Sequence, residues 1–333
     1  MRLHSAIGIA LGLIVSLLPG YTCAARQPGE DTASTIVIDA SKPPSPPEAL
    51  PFATGGRSPD GHVLSVNNRY LTLDGTAWFP VMGEFHFARY SENSWEEEIL
   101  KMKAGGIRII STYVFWIHHE ELEGRFDWSG QRNLRRFVEL CAKHGMYVWV
   151  RVGPWAHGEC RNGGLPDWLV QSCPTRQNDA TYLGHVRRYY GEIGRQLKGL
   201  FWKDGGPIIG VQIENEYGER GAGKGAEHML ALLGLAREAG LHAPFYTATG
   251  WDGVEIPSRE FIPVFSGYAD AFWDRGLVEL PPNPNYFFTE IRCQENVGND
   301  LHSTRPDIDA RGASYMRKVL LPTQRTQRKV FLN

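Results

Sequence analysis

The sequence predicts an α/β fold, and within that class a (β/α)8 TIM barrel. From residue 62 onward, short apolar runs of strand length alternate with longer segments of helical periodicity, in about eight units. A repeating strand–helix order indicates a parallel sheet, and eight such units indicate that the sheet closes into a barrel. The competing doubly wound sheet needs a glycine-rich phosphate-binding turn after an early strand, and the sequence has no such turn.

The composition is that of a globular protein. The chain has 333 residues, of which 42% are hydrophobic and 22% are charged, and an α/β barrel needs roughly 250 residues. The 35 basic and 37 acidic residues leave a net charge of −2. This balance provides no basic surface for nucleic acid or for an anionic membrane. The 10 Trp, 13 Tyr and 15 Phe residues suit either a large core or a pocket that stacks on sugar rings.

The N-terminal region is predicted to be separate from the barrel. In residues 1–25, Arg2 precedes a short apolar run and small residues follow it, which is typical of a secretory signal peptide. We therefore expect a secreted or periplasmic protein with no integral membrane segment after cleavage; a lipid anchor at Cys23 is a minor alternative. Residues 26–60, rich in Pro, Ser and Gly, are predicted to be a linker or extended arm, and residues 61–333 the barrel domain.

The individual elements follow from periodicity and turn residues. The predicted barrel strands are residues 80–87, 107–115, 147–152, 208–213, 245–248, 263–265 and 286–289, and strand eight begins at 330–332. The predicted helices are residues 95–104, 134–144, 181–200, 226–239 and 309–321. Ser94 and Glu97 form a capping-box pattern for the first helix. Residues 63–81 are predicted to form a hairpin that turns at Asp74-Gly75.

Four cysteines remain after the predicted cleavage, namely Cys141, Cys160, Cys173 and Cys293. In an oxidising compartment some of them could form disulfides. Cys160 and Cys173 lie close in sequence and are the best candidates, but the pairing stays open because spacing alone does not determine it.

The most informative motif is GGPIIGVQIENEYG, at residues 205–218. A short apolar run ends there in Glu214, Asn215 and Glu216, which indicates a buried parallel strand with polar residues at its carboxyl end. Barrel enzymes place their chemistry at that end of the strands. A carboxyl group that can transfer a proton, next to an amide that can bind a sugar hydroxyl, points to chemistry on carbohydrate.

Polar clusters follow other predicted strands as well, at residues 83–89, 113–120, 151–159 and 287–290. Because barrel strand ends converge on one face, these clusters are predicted to share a pocket. Glu216 and Glu290 suit glycosidic hydrolysis, in which one carboxyl group protonates the leaving oxygen and the other attacks the anomeric carbon or activates water. We expect His86 to line the pocket, and Arg89 and Arg151 to orient carboxylates.

These motifs resemble the β-galactosidase family, glycoside hydrolase family 35. Beside residues 205–218, the resemblance is carried by KMKAGG at 101–106, EGRFDWSG at 123–130 and GGLPDWL at 163–169, and it extends over residues 65–290. The resemblance implies a retaining exo-hydrolase that releases terminal non-reducing β-D-galactose from oligosaccharides or glycoconjugates. Such an enzyme needs no cofactor and no metal. Its partner is a carbohydrate and not a nucleic acid, and a homo-oligomer stays open.

The resemblance also implies roles for individual residues. Glu216 matches the general acid/base, and Glu290 matches the nucleophile that forms a covalent galactosyl intermediate. Asn215 is expected to bind the hydroxyl next to the anomeric carbon, while Tyr113 and Glu159 match positions that hold other sugar hydroxyls. If these roles hold, the two catalytic carboxyl groups are about 5–5.5 Å apart, which is the spacing of retaining enzymes.

Several features depart from the family pattern and leave alternatives open. Residues 155–157, Trp-Ala-His, replace a commoner tyrosine and small residues, and His157 could alter the sugar preference. Residues 291–295 do not resemble the usual aromatic-rich continuation. The chain stops at Asn333, inside predicted strand eight, so the barrel could be incomplete there; a fragment, an early-terminated product and a domain that needs a partner all stay open. The functional alternatives are a non-catalytic carbohydrate-binding remnant of the same fold and a hydrolase for another β-linked sugar such as glucosamine.

Two further enzyme classes are disfavoured. Residues 118–121, His-His-Glu-Glu, lack the His-Glu-x-x-His spacing of a helical zinc site. An ester hydrolase of the α/β class would need a Gly-x-Ser-x-Gly elbow, which the sequence lacks.

Overall fold

A computed structural model of the chain describes residues 46–47, 56–67, 70–249, 257, 260–268, 277–279, 288–294, 316–322 and 329–331. The predicted signal peptide and most of the predicted arm lie outside these ranges, so the domain boundaries at residues 25 and 60 stay predictions. In the part of the chain that the structure describes, every helix is too short or too polar to cross a membrane.

The described strands form a barrel and two small sheets. In chain order they are β1 Leu64–Val66, β2 Leu71–Leu73, β3 Thr76–Trp78, β4 Val81–Glu84, β5 Ile107–Tyr113, β6 Tyr147–Gly153, β7 Ile208–Ile213, β8 Phe245–Thr249, β9 Ile262–Tyr268, β10 Leu277–Glu279, β11 Phe288–Gln294, β12 Met316–Pro322 and β13 Lys329–Phe331. The strands β11, β12, β4, β5, β6, β7, β8 and β9 close into a barrel in that order. The predicted barrel architecture is therefore confirmed.

One barrel strand runs against the others. The pairs from β4 through β9 to β11 are parallel, whereas β12 pairs antiparallel with both β11 and β4. The predicted helix over residues 309–321 is wrong where the structure describes it, because residues 316–322 form this strand. The edges of β4 and β11 carry backbone groups that need partners, and a strand between them satisfies both edges. The predicted strand eight, residues 330–332, overlaps β13, which pairs with β10 outside the barrel.

The described helices between β4 and β8 are α1 Trp95–Ala104, α2 Trp116–His119, α3 Leu134–Lys143, α4 Asp167–Ser172, α5 Ala180–Leu197 and α6 Gly225–Glu238. The four helices predicted in this part of the chain are confirmed as α1, α3, α5 and α6, whereas the short helices α2 and α4 were not predicted. Asp179 caps α5 by accepting a hydrogen bond from the backbone N–H of Tyr182 at 2.9 Å. The predicted capping box at Ser94 is not formed. A 3-10 turn over Glu92–Ser94 runs directly into α1, so Ser94 already has helical backbone angles and its side chain makes no cap.

The predicted hairpin is confirmed. Strands β2 and β3 pair antiparallel with Leu73 opposite Thr76, and the turn between them places Asp74 and Gly75 at φ values of 53° and 77°. Positive φ at both central residues is what a two-residue type I′ turn requires, and Asp-Gly supplies it. The Asp74 carboxylate also accepts a hydrogen bond from the backbone N–H of Val63 at 2.8 Å, which ties β1 to the hairpin.

The barrel interior is filled by side chains that point inward from the strands. Along each strand they alternate with side chains that point outward into the larger core. Met82, Ile109, Trp149, Tyr246, Ala248, Ile262 and Val264 form this inner cluster. A Cβ atom at Gly210 would lie 1.5 Å from the indole nitrogen of Trp149, so only glycine leaves room for that ring. Trp149 in turn lies 4.1 Å from Tyr246, centroid to centroid. This apolar layer forms a floor, and the polar side chains lie closer to the carboxyl ends of the strands.

Helix packing on the outside of the barrel depends on one close approach. A Cβ atom at Gly194, in α5, would lie 1.9 Å from the backbone oxygen of Ala239 at the end of α6. We expect Gly194→Ala to lower the free energy of unfolding by about 1–3 kcal/mol, because α5 and α6 must separate. Gly184, in the same helix, has no atom within 4 Å of an added Cβ. Gly184→Ala is expected to raise stability by about 0.5–1 kcal/mol through helix propensity.

Urea unfolding of both variants checks this pair of predictions. Equal changes in the two unfolding midpoints would show that the contact between Gly194 and Ala239 does not limit the packing of the two helices.

A buried histidine predicts how stability depends on pH. His228 in α6 is fully buried, and burial lowers its pKa from 6.5 to about 4. Between those values the unfolded chain binds a proton that the folded chain does not. The free energy of unfolding should therefore fall as pH drops from 6.5 towards 4, by up to about 1.4 kcal/mol per pH unit for this group.

The variant His228→Gln should weaken this dependence. We expect its urea-unfolding midpoint to fall less steeply between pH 6.5 and 4.5 than that of the unmodified protein, whereas the surface variant His242→Gln should keep the full slope. Identical slopes for all three proteins would exclude His228 as the titrating group.

The described cysteines carry free thiols. Cys141, Cys160 and Cys173 are all unpaired, so the structure does not join Cys160 to Cys173, the pair that the sequence left as the best candidates. Cys160 packs against the cluster of Tyr113 and Phe115, whereas the thiol of Cys173 lies 3.7 Å from the carbonyl oxygen of Leu169 in the outer core. Nearness in sequence does not bring the two sulfur atoms together because the 3-10 turn over Arg161–Gly164 and helix α4 separate them.

Candidate active site

The polar side chains of the strands gather at one end of the barrel. Glu84 ends β4, Tyr113 ends β5, and Gln212 lies one residue before the end of β7. Arg151 follows Trp149 by two residues on β6, so both side chains lie on the same side of the sheet. Arg151 is buried directly above the apolar floor. The predicted convergence of these clusters at the carboxyl ends of the strands agrees with the fold.

Asn215 is the centre of this group. Its Oδ1 atom accepts hydrogen bonds from Tyr113 Oη at 3.2 Å, Arg151 Nη2 at 2.6 Å and Gln212 Nε2 at 3.0 Å. With Oδ1 held by three donors, the orientation of the amide is determined, and Nδ2 donates to His157 Nδ1 at 3.0 Å. His157 must therefore accept at Nδ1, which makes its neutral form the one that this network requires.

A buried ion pair holds Arg151 in place. Its Nη1 donates to Glu84 Oε2 at 2.6 Å, and the guanidinium lies 3.7 Å from the centre of the Tyr113 ring. His86 Nε2 donates to the other oxygen of Glu84 at 2.7 Å, and His86 Nδ1 accepts from Arg89 Nη1 at 3.3 Å. Burial lowers the pKa of His86, and the hydrogen bond to Glu84 opposes this shift. His86 is thus a neutral donor within the network.

Glu216 lies at the open side of the network. Its side chain is 17% exposed, and its Oε2 atom is 3.8 Å from His157 Nδ1. Its backbone N–H donates to the carbonyl oxygen of Ala248 in β8 at 2.8 Å. Glu214 and Glu216 have φ values of 59° and 49°, in the left-handed region that non-glycine residues rarely adopt. Such strain concentrates at functional sites, where the surrounding structure must hold it.

The family comparison agrees with this arrangement. The family model described as "Glycosyl hydrolases family 35" matches residues 70–249, which is more than half of the chain and includes the network around Asn215.

The chain belongs to glycosyl hydrolases family 35.

Curated relatives are similar over about half of the chain. "Beta-galactosidase" from Bos taurus is 39% identical over 153 residues, covering 45% of this chain and 23% of the relative. "Beta-galactosidase 6" from Oryza sativa subsp. japonica is 36% identical over 167 residues, covering 49% and 20%. "Beta-galactosidase 11" from Arabidopsis thaliana is 40% identical over 158 residues, covering 46% and 19%. The matched part of this chain thus spans a quarter or less of each relative's length.

In this family 35 protein the structure brings together three of the five predicted site residues. Tyr113 and Asn215 are hydrogen-bonded to each other. Glu216 lies close to them, because the Nδ1 atom of His157 contacts both the Asn215 amide and the Glu216 carboxyl group. Glu159 lies in the loop after β6 with its side chain exposed and φ at 48°, and no hydrogen bond described here joins it to the network. Its role in binding substrate stays a prediction.

The fifth residue, Glu290, is described by its backbone. It lies within β11, which begins at Phe288 and continues to Gln294, rather than at the end of the predicted strand. In the barrel register Glu290 pairs with Ser266, two residues beyond Val264, and Val264 pairs with Ala248. Ala248 is also the residue whose carbonyl holds Glu216. Glu290 and Glu216 therefore lie at neighbouring levels of the barrel, and the separation of about 5–5.5 Å stays a prediction.

Arg176 is the site residue that sequence reasoning missed. It lies in the loop between α4 and α5, and its Nη2 donates to Glu214 Oε2 at 2.7 Å. The sequence prediction of site residues was limited to polar residues directly after predicted strands. Arg176 escaped it because the loop follows a helix. Nothing in the local residues 173–178 distinguishes Arg176 from an exposed loop arginine.

The two tryptophans with open roles have different surroundings. Trp116 is fully buried and stacks on Tyr189 with ring centres 4.3 Å apart, so it packs the fold. Trp155 is partly exposed, with its ring centre 5.2 Å from that of His157 and 4.6 Å from the Arg176 guanidinium. Only Trp155 is placed where it could contact a ligand.

Within the described ranges, no group of three His, Cys, Asp or Glu side chains is arranged to hold a metal ion. His119, from the His-His-Glu-Glu segment, is fully buried and stacks on Trp128 with ring centres 4.1 Å apart.

Proposed function

We propose that this chain carries the catalytic barrel of a retaining exo-β-galactosidase, which releases terminal non-reducing β-D-galactose from oligosaccharides or glycoconjugates. The observation that carries the proposal is the Asn215–Glu216 pair at the carboxyl end of β7. Asn215 is oriented there by three buried donors, and Glu216 faces the open side of the same network. The names of the curated relatives, each a beta-galactosidase, support galactose as the sugar.

In the proposed reaction, Glu216 begins protonated and Glu290 begins ionised. Glu290 attacks the anomeric carbon while Glu216 gives its proton to the departing oxygen, which leaves with the electron pair of the glycosidic bond. A water molecule then attacks the anomeric carbon of the galactosyl ester, and Glu216 takes a proton from that water. The Glu290–sugar bond breaks, and galactose is released with its original configuration.

The other site residues would hold the sugar. Asn215 is proposed to bind the hydroxyl next to the anomeric carbon, a contact that strengthens in the transition state. Because the Asn215 amide is already oriented, little reorganisation is needed when the sugar binds. Tyr113 and Glu159 are proposed to bind other hydroxyls of the terminal galactose.

The direct test is release of nitrophenol from an aryl β-galactoside by the purified protein, with Glu216→Gln as the control. The proposal predicts hydrolysis that the control variant loses. An aryl β-glucosaminide in a parallel assay tests the alternative sugar, since His157 beside Asn215 departs from the family pattern. A cooperative melt with a galactose-dependent rise in Tm but no hydrolysis would instead support a carbohydrate-binding role.

We also infer that the protein is exported, on the basis of the signal-peptide pattern in residues 1–25. The mature N-terminus of protein recovered outside the cytoplasm should then lie near residue 26, as determined by mass spectrometry. Cytoplasmic protein with an intact N-terminus would contradict this inference.

A further inference from the structure

Arg176 occupies a mostly buried position beside the candidate acid. Its side chain is 16% exposed, and its guanidinium lies between the rings of Trp155 and Tyr217, at 4.6 Å and 5.3 Å from their centres. The Tyr217 hydroxyl donates to the backbone carbonyl of Arg176 at 3.2 Å, which anchors the loop from the other side. A charged side chain enclosed in this way has few alternative conformations.

The contacts of Arg176 enclose the backbone of Asn215. Arg176 Nη2 donates both to Glu214 Oε2 at 2.7 Å and to the carbonyl oxygen of Asn215 at 3.1 Å. The same carboxylate oxygen of Glu214 accepts from the backbone N–H of Asn215 at 3.3 Å. One guanidinium nitrogen and one carboxylate oxygen therefore hold Asn215 at both its N–H and its carbonyl group. We call Arg176 and Glu214 the clamp.

The clamp acts on the strained part of the chain. Glu214 and Glu216 both have left-handed backbone angles, which disfavour residues that carry a Cβ atom. The backbone N–H of Glu214 is held by Gly153, and that of Glu216 is held by Ala248, each at 2.8 Å. The clamp restrains the residue between them. Losing the clamp would remove this restraint on the residue between the two left-handed positions.

Stability alone does not explain this pair. Glu214 is fully buried, and burial raises the pKa of its carboxyl group while Arg176 opposes the shift. Buried ion pairs are often no more stabilising than apolar residues of the same volume, because both charges must be desolvated. They do provide directional contacts that apolar groups cannot supply.

We propose that Arg176 and Glu214 are positioning residues that aim the Glu216 carboxyl at the leaving-group oxygen by holding the backbone of Asn215. The proposal rests on the proposed function for the role of Glu216. The backbone restraint itself can be measured without any activity.

The kinetic test compares Arg176→Met, Arg176→Lys and the double variant Arg176→Met/Glu214→Gln. Misplacing a general acid should lower kcat/KM for an alkyl or unactivated aryl β-galactoside by roughly 100-fold, but for a dinitrophenyl galactoside by less than about 5-fold, because kcat/KM reports the galactosylation step and only the poor leaving group needs a proton there. The lysine variant keeps the charge and should recover part of the rate. The double variant removes the unpaired buried carboxylate, so its Tm should rise above that of Arg176→Met while the kcat/KM defect remains.

Arg188→Met is the matched control. Arg188 Nη2 pairs with Glu120 at 2.8 Å, and Glu120 is as fully buried as Glu214. This variant should lower Tm as well, because it leaves a buried carboxylate without its arginine. It should lower kcat/KM for both galactosides equally, or for neither. The same leaving-group bias in Arg188→Met, or full recovery of kcat/KM in the double variant, would overturn the positioning role.

Amide hydrogen exchange of the peptide covering residues 212–218 provides the readout that needs no activity. We expect faster exchange in Arg176→Met and the double variant than in the unmodified protein and Arg188→Met, each measured at the same interval below its Tm. Unchanged exchange would overturn the clamp even in an active enzyme. If the unmodified protein hydrolyses no galactoside but the exchange difference appears, the proposed function fails and the clamp stands as a restraint on the backbone.

Discussion

Replacing Glu216 with Ala is expected to lower kcat by 10²- to 10⁴-fold on a β-galactoside with a poor leaving group, the range over which a general acid contributes. An alkoxide cannot leave without a proton, whereas a dinitrophenolate can. For a dinitrophenyl galactoside the galactosylation step should therefore be almost unaffected. The measurement is kcat/KM across a series of aryl galactosides, plotted against the pKa of the leaving phenol.

A nearby carboxylate provides the control for this prediction. Glu219 lies three residues beyond Glu216, is exposed, and pairs with Lys224 at 3.3 Å. Glu219→Ala should keep the leaving-group dependence of the unmodified protein. An equal loss on good and poor leaving groups in Glu216→Ala would count against proton donation by Glu216, even if the variant is nearly inactive.

Replacing Glu290 with Gly is expected to abolish turnover, with a loss of roughly 10⁶-fold, the scale seen when an enzyme loses its nucleophile. No other group in the proposed mechanism can form the galactosyl ester. Azide added to this variant should restore consumption of an activated galactoside by attacking from the vacated face. Because the azide displaces the leaving group in one step, the product should be the inverted α-galactosyl azide, identified by the NMR coupling of its anomeric proton.

The stereochemistry of that product decides the assignment. A retained β-galactosyl azide would mean that a covalent intermediate still forms, so another residue would be the nucleophile. Glu295, which lies outside the described residues, is the nearest carboxyl group along the chain, and Glu295→Gly serves as the control that should remain active. Azide rescue with retention is instead expected for Glu216→Ala, where the ester forms and azide replaces the activated water.

Much of the barrel could be predicted from local sequence. Strand β7 and the polar residues after it follow from a short apolar run that ends in Glu-Asn-Glu, and the β2–β3 turn follows from Asp-Gly. Helices α1, α3, α5 and α6 begin and end within a few residues of their predicted positions. These features depend on neighbours in the sequence, through backbone angles and the 3.6-residue and two-residue periods of helices and strands. Tyr113, Asn215 and Glu216 could be placed at one face because parallel strand ends converge.

One error comes from contacts that are distant in sequence. Residues 316–322 form a strand because the edges of β4 and β11 need a partner, and local helical periodicity gives no sign of that need. The error at Ser94 is local, because a preceding 3-10 turn already continues into α1. The candidate pair Cys160 and Cys173 is not joined, because the two thiols pack into different clusters.

The sequence by itself determined the barrel class, the strand that leads into Asn215 and Glu216, and the turn residues that join the early strands, since each depends on residues a few positions apart. Only the tertiary structure decided how those side chains are held. Arg176 reaches Glu214 across 38 residues, and Arg151 reaches Asn215 across 64. The strength of such contacts depends on burial and on the exact approach of two atoms, which the folded barrel creates and which spacing along the chain does not specify.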